Sequence, residues 1–101
     1  MHVRYGLAAI LLCMPVSVRA ETMVASYYAA PAPHVAAHRS LPFGTRVLLT
    51  NPRNGRTTHV VIRDRGPFIA GRALDISTAR ARELGLTRSG VVRLRARVLG
   101  R

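Results

Sequence analysis

Apolar and polar positions alternate along much of this chain, most cleanly near its end. In VVRLRARVL, residues 91–99, Val92, Leu94, Ala96 and Val98 fall on one face and Arg93, Arg95 and Arg97 on the other. That period of two predicts a strand with one buried face and one cationic face. TRVLLT, residues 45–50, is a compact apolar strand, and RTTHVVIRD, residues 56–64, is a second. Between them Asn51-Pro52-Arg53-Asn54-Gly55 carries turn chemistry, which predicts a β-hairpin over 45–64. MVASYY, residues 23–28, is a further β-prone run. The AAPAPHVAAH that follows, with two prolines and many alanines, reads as an irregular connection, and LPFGT then resets the chain direction. Helical spacing occurs once, in DISTARARELGL, residues 75–86, where Asp75 or Ser77 caps the first amides and Gly85 suits the exit. Such a helix has about two turns. There is no heptad pattern and no internal repeat. A flat sheet of so few strands leaves open edges that closure removes, so the expected fold is mainly β, a small barrel with one short α-helix.

The first twenty residues have a different character. MHVR is positively charged, GLAAILLCMPV is apolar but too short to span a bilayer, and Val18-Arg19-Ala20 offers small residues to a signal peptidase. The expectation is a cleaved signal peptide over 1–20 and a single domain over 21–101, which leaves 81 of the 101 residues. The one cysteine, Cys13, leaves with the apolar stretch, and Leu12 before it does not suit a lipid-anchoring signal. An exported domain without cysteine rests on its core alone.

Charge narrows the partners. All 16 basic side chains are arginine, against Glu21, Asp64, Asp75 and Glu83, and removing Arg4 and Arg19 with the leader takes the net charge from +12 to +10. Such a surface attracts polyanions. Export argues against nucleic acid and for peptidoglycan carboxylates, lipopolysaccharide phosphates or anionic lipid, while a purely solubilising arginine shell accounts for the same count. An action on anionic lipid finds no amphipathic helix to support it.

Acid–base chemistry on a polymer needs a carboxyl, and few exist here. Glu21 sits at the new terminus, Glu83 lies on the helix, and Asp75 is most simply the helix cap. Asp64 remains, at the point where a strand runs into the RGPF turn. Either it projects into a surface groove or it accepts the turn amides of Gly66 and Phe68. In a regular strand Arg63 and Arg65 point away from it, so adjacency alone creates no ion pair. His34 and His38 stand four apart, a metal spacing only on a helix, which the flanking prolines oppose; His59 lies mid-strand. No nucleophile elbow or phosphate-cradling glycine loop is present, and no cofactor is suggested.

From Met23 onward the blocks VASYY, AAHRSLPFGTRVLLTN, NGR, VVIRDRGPF, GRALDIS, ARELGL and VRLRARVL occur in the order of a known family. The sequence resembles the rare lipoprotein A type of double-psi β-barrel, periplasmic endolytic peptidoglycan transglycosylases related to the barrel domain of expansins. The resemblance implies a six-stranded double-psi β-barrel. It also implies that Asp64 is the acid/base cleaving the bond between N-acetylmuramic acid and N-acetylglucosamine, with His38 orienting it or the glycan. Tyr27, Arg39, Arg65 and Phe68 become the candidate substrate-binding residues. A partner follows too: peptidoglycan strands stripped of stem peptides, met by a monomer in the periplasm at the division septum, with no nucleic acid and no lasting membrane span. The family carries a tryptophan in SWYG and a Thr-Ala-Asn-Gly-Glu segment that supplies a second acid; here only AAPAPHVA fills that interval, and Tyr27 stands in the aromatic position. Two readings stay open: a minimal lytic transglycosylase, and a barrel that binds peptidoglycan without cutting it.

Overall fold

The structure, a computed structural model, describes residues 20–86 and 90–101. Except for Ala20, the expected leader lies outside the described residues. The elements run β1 (Ala20–Tyr28), β2 (Val35–His38), β3 (Arg46–Thr50), β4 (Thr57–Asp64), β5 (Leu74–Ser77), α1 (Thr78–Glu83) and β6 (Val91–Gly100). The strands close in the order β1-β5-β2-β4-β3-β6, with β6 paired back onto β1. Pairs β1–β5 and β2–β4 are parallel and the other four antiparallel. This is the six-stranded double-psi barrel with one short helix that the resemblance implies.

Alternation selects what fills it. Met23 and Ala25 of β1, Val47 and Leu49 of β3, Val60 and Ile62 of β4, Leu74 and Ile76 of β5, and Leu94 and Ala96 of β6 are buried in one core. Ala36 of β2 joins them, and Ala81 and Leu84 close one side from the helix. The hairpin forms as expected, from Thr50 opposite Thr57 to Arg46 opposite Val61.

Two segments differ from the expectation. VAAH is a strand, not an irregular connection, because β4 and β5 pair with it on both sides and supply the backbone partners that its alanines do not favour by propensity. LDIS is also a strand, and the helix begins only at Thr78. Its cap is Ser77, whose Oγ accepts the Arg80 amide and donates to Pro33 O at 2.5 Å. Asp75 is therefore not the cap. It lies inside β5, paired with Ser26 and Ala37.

The helix exit is latched to the hairpin turn. Asn51 Nδ2 and Asn54 Nδ2 both donate to Leu84 O, at 2.8 and 3.0 Å, satisfying a carbonyl left over at the helix end. Gly85 follows with φ +76°, and a Cβ there would stand 2.8 Å from Asn54 Nδ2 and 3.2 Å from Arg56 Nη1. Gly85→Ala combines left-handed strain with a displaced hydrogen bond and is expected to cost about 2 kcal/mol. Urea unfolding measures it; a loss within experimental error would contradict the latch.

Candidate active site

A bulge in β4 decides where Asp64 goes. Val35 pairs with Val61 and Ala36 with Ile62, but Ala37 pairs with Asp64, so Arg63 is the extra residue. The strand is thus not regular up to Asp64, which corrects the sequence expectation. On its other side Ala37 pairs with Asp75, and Asp75 with Ser26. Directly opposed residues share a sheet face. Asp64, Ala37, Asp75 and Ser26 accordingly form one row across four strands. Ala36 faces the core with Ile62 and Ile76, so alternation puts this row on the outside of the barrel. At about 4.8 Å per strand the two aspartate backbones stand roughly 10 Å apart, with only a methyl group between them.

One distant side chain and one neighbouring backbone amide hold the Asp64 carboxylate. Tyr28 hydroxyl donates to Oδ2 at 3.0 Å, and the Arg65 amide donates to Oδ1 at 3.0 Å. The amide partner is thus Arg65, not Gly66 or Phe68. Burial first, then the hydrogen bond to Asp64 and the charges of Asp64 and Asp75, push the Tyr28 phenol up to about 12. Tyr28 therefore remains a neutral donor to Asp64. Ser26 Oγ donates to Asp75 Oδ1.

The neighbouring arginines are committed elsewhere. Arg65 Nη1 donates to His38 O at 3.1 Å and Leu41 O at 2.7 Å, and its guanidinium lies 4.2 Å from the centre of the Phe43 ring. Arg39 gathers the carbonyls of Pro67, Ile69 and Arg72 at 2.8–2.9 Å. It pins the loop that carries Phe68, which is 77 % exposed, and Ile69. That loop starts at Gly66, whose φ of +117° suits a residue without Cβ. Among the described residues the one salt bridge joins Arg80 to Glu83, so no arginine is ion-paired to Asp64.

His38 ends β2 with its ring turned to the following loop. Nδ1 accepts the Ser40 amide at 3.1 Å and the Leu41 amide at 3.0 Å. Amides only donate, so Nδ1 carries the lone pair and the neutral ring bears its proton on Nε2. Desolvation, then the Arg65 and Arg39 charges, lower its pKa below 6.5, while Glu21 opposes them. His38 follows Ala37, the register partner of Asp64, so the two predicted catalytic residues sit at the same end of neighbouring strands. No hydrogen bond joins them among the described residues.

Tyr27 and Tyr28 divide the aromatic role. Tyr27 follows Met23 and Ala25 by alternation and packs against the core, whereas Tyr28 reaches Asp64. Tyr28 also walls a concavity of about 330 Å³ with residues 29–33 and the start of α1. Sequence reasoning missed Tyr28 and Asp75 as site residues; the parity of β1, with Met23 and Ala25 inward, was the available signal for the first. Of the other candidates, His34 precedes β2 in a turn, His59 is exposed on β4, and Glu83 accepts Thr58 Oγ1 and Arg80 Nη1. No group of three potential ligands able to hold a metal occurs among the described residues.

A closed double-psi barrel that displays two aspartates in one outer row defines the class of protein. Residues 27–96 match the family described as lytic transglycolase, and the chain belongs to it. It is 61 % identical over 71 residues to the probable endolytic peptidoglycan transglycosylase RlpA of Nostoc sp., covering 70 % of this chain and 19 % of that one. Identity to the Aquifex aeolicus protein described in the same words is 50 % over 66 residues, covering 65 % and 29 %. Identity to the endolytic peptidoglycan transglycosylase RlpA of Pasteurella multocida is also 50 % over 66 residues, covering 65 % and 22 %. The chain thus spans less than a third of the length of these relatives.

Two titrations test the site. Tyr28 is expected to ionise near pH 12, and because its folded pKa is raised, the stability it contributes is intact below about pH 10 and lost as pH rises toward 12. Ultraviolet difference spectra should lose one late-titrating phenol in Tyr28→Phe; a wild-type chain in which every phenol ionises near 10 would refute the contact. For His38 the folded pKa is depressed, so its contribution is present above about pH 6.5 and lost as pH falls through the folded value. Imidazole nitrogen shifts should report the Nε2–H form at pH 7, and an Nδ1–H form would contradict the two amide contacts.

Proposed function

We propose that this barrel is an endolytic peptidoglycan lytic transglycosylase, with Asp64 as its acid/base. The observation that carries the reading is the Asp64 carboxylate held by the Tyr28 hydroxyl and the Arg65 backbone amide, ion-paired to no arginine among the described residues, on the same outer row as Asp75. Membership of the lytic transglycolase family and similarity to proteins described as endolytic peptidoglycan transglycosylases support the substrate.

The chemistry fits one working carboxyl. A sugar lying over the row excludes water and favours the protonated acid. Asp64 gives its proton to the glycosidic oxygen as the bond from the muramic anomeric carbon breaks. The muramic 6-hydroxyl then bonds to that carbon and returns its proton to Asp64, which leaves a 1,6-anhydro end and consumes no water. Positive charge on the anomeric carbon faces a second carboxylate, Asp75, from across Ala37. Asp75 thus takes up an electrostatic role that the interval 29–36, without any acid, does not fill. Neutral His38 offers its Nε2–H to a glycan oxygen and is not the acid. The exposed Phe68 ring offers an apolar face for a sugar, and Tyr27 supports the row from inside. Arg39 and Arg65 act by holding the loops beside it.

The same reading places the working domain outside the inner membrane, as a monomer acting on peptide-stripped strands at the septum and not on nucleic acid. No helix among the described residues is long and apolar enough to cross a membrane.

Amidase-treated glycan strands test the activity, with mass analysis for anhydromuramic ends. Asp64→Asn should lower their formation by at least about 100-fold, and Tyr28→Phe by about tenfold. Strands retained on the protein but left uncut by the wild type would make it a binding barrel, and anhydro ends undiminished in Asp64→Asn would remove Asp64 from the chemistry.

A further inference from the structure

The arginines of β6 find no use in this site. Arg93, Arg95 and Arg97 are exposed on the outer face of the strand, at intervals of about 7 Å. Their register partners on the flanking strands are uncharged. Arg93 is opposite Val24, Arg95 is between Thr22 and Thr50, and Arg97 is between Ala20 and Leu48. Glu21, the nearest acid in the register, pairs with Ala96 and so belongs by alternation to the other face. Among the described residues no acid forms a salt bridge with the three guanidinium groups. Beside them, Ala20, Leu48, Thr50, Arg95 and Arg97 line a recess of about 170 Å³, which puts a hydroxyl next to two cations.

Apolar side chains bracket the stripe. Val91 and Leu99, at the two ends of β6, are 42 % and 38 % exposed. We propose that the β6 face is a docking surface for an anionic lipid bilayer. Headgroup phosphates would meet Arg93, Arg95 and Arg97, and Val91 and Leu99 would dip below them, an interfacial arrangement in which cations stay at headgroup level while apolar groups enter the lipid. A soluble phosphate polymer accounts for the arginines but not for the exposed apolar ends. In the closed ring β6 stands opposite β2. Docking through β6 therefore turns the Asp64–Ala37–Asp75 row away from the membrane. The proposal does not depend on whether that row cuts glycan.

Cosedimentation of the full chain with vesicles tests it, using phosphatidylcholine alone as the baseline and mixtures containing phosphatidylglycerol as the probe. Each arginine near an anionic leaflet multiplies affinity by about fivefold, so three contribute about 100-fold. Joint Arg93→Gln, Arg95→Gln and Arg97→Gln should lose about that factor toward anionic vesicles while keeping the wild-type unfolding midpoint. Joint Arg53→Gln, Arg56→Gln and Arg82→Gln, with the same change in net charge, should lose much less. Equal losses in the two variants would mean that only net charge matters and would overturn the surface. Unchanged vesicle binding in the β6 variant would overturn it as well. So would a wild type that binds soluble polyphosphate but shows no preference for anionic vesicles.

Discussion

One hydrogen bond, from the Tyr28 phenol to Asp64 Oδ2, ties the first strand to the fourth across two intervening strands. It depends on closure of the barrel, on the bulge that sets Asp64 opposite Ala37, and on the small side chain at Ala37. It also draws Asp75 into the same electrostatic neighbourhood, because both carboxylates raise the phenol's resistance to ionisation. A neutral donor that sees two acids holds a carboxylate in place without adding a cation.

The arginine excess is handled by a consistent device. Around the site, guanidinium groups are satisfied by carbonyl oxygens and an aromatic ring. Arg39 holds the loop from Pro67 to Arg72, and Arg65 holds the end of β2 and stacks on Phe43. Burial first and then their charges lower the pKa of His38, and their hydrogen bonds fix the loops without engaging Asp64. On β6 the arginines have no such carbonyl partners among the described contacts, and there charge is presented outward. Sequence position alone does not distinguish the two uses; the closure of the ring does.

Much of the fold was legible where alternation was strong. VRLRARV and the hairpin on either side of Asn51-Pro52-Arg53-Asn54-Gly55 appear as read, because one face had to be buried and the turn residues fixed the register. VAAH and LDIS were not legible, since neither is β-prone enough to declare itself and both depend on partners far away in sequence. The misreading of LDIS carried Asp75 with it: Asp75 and Ser77 are both good cap residues, and only the strand pairing shows that Ser77 alone serves. Asp64 stood out in the sequence only as the candidate carboxyl left after elimination. Its partner was not legible, because identifying Tyr28 over Tyr27 requires the inward parity of Met23 and Ala25 and the crossing of the strands. The bulge at Arg63 had no signal in the sequence.

A double-mutant cycle on unfolding free energy, combining Tyr28→Phe with Asp64→Ala, addresses the central claim most directly. A hydrogen bond from a neutral phenol to a charged carboxylate predicts a coupling of about 1.5–3 kcal/mol between the two substitutions at pH 7. Effects that simply add, within about 0.5 kcal/mol, would mean that the strands do not bring these groups together and that the row lacks the contact on which the site is built.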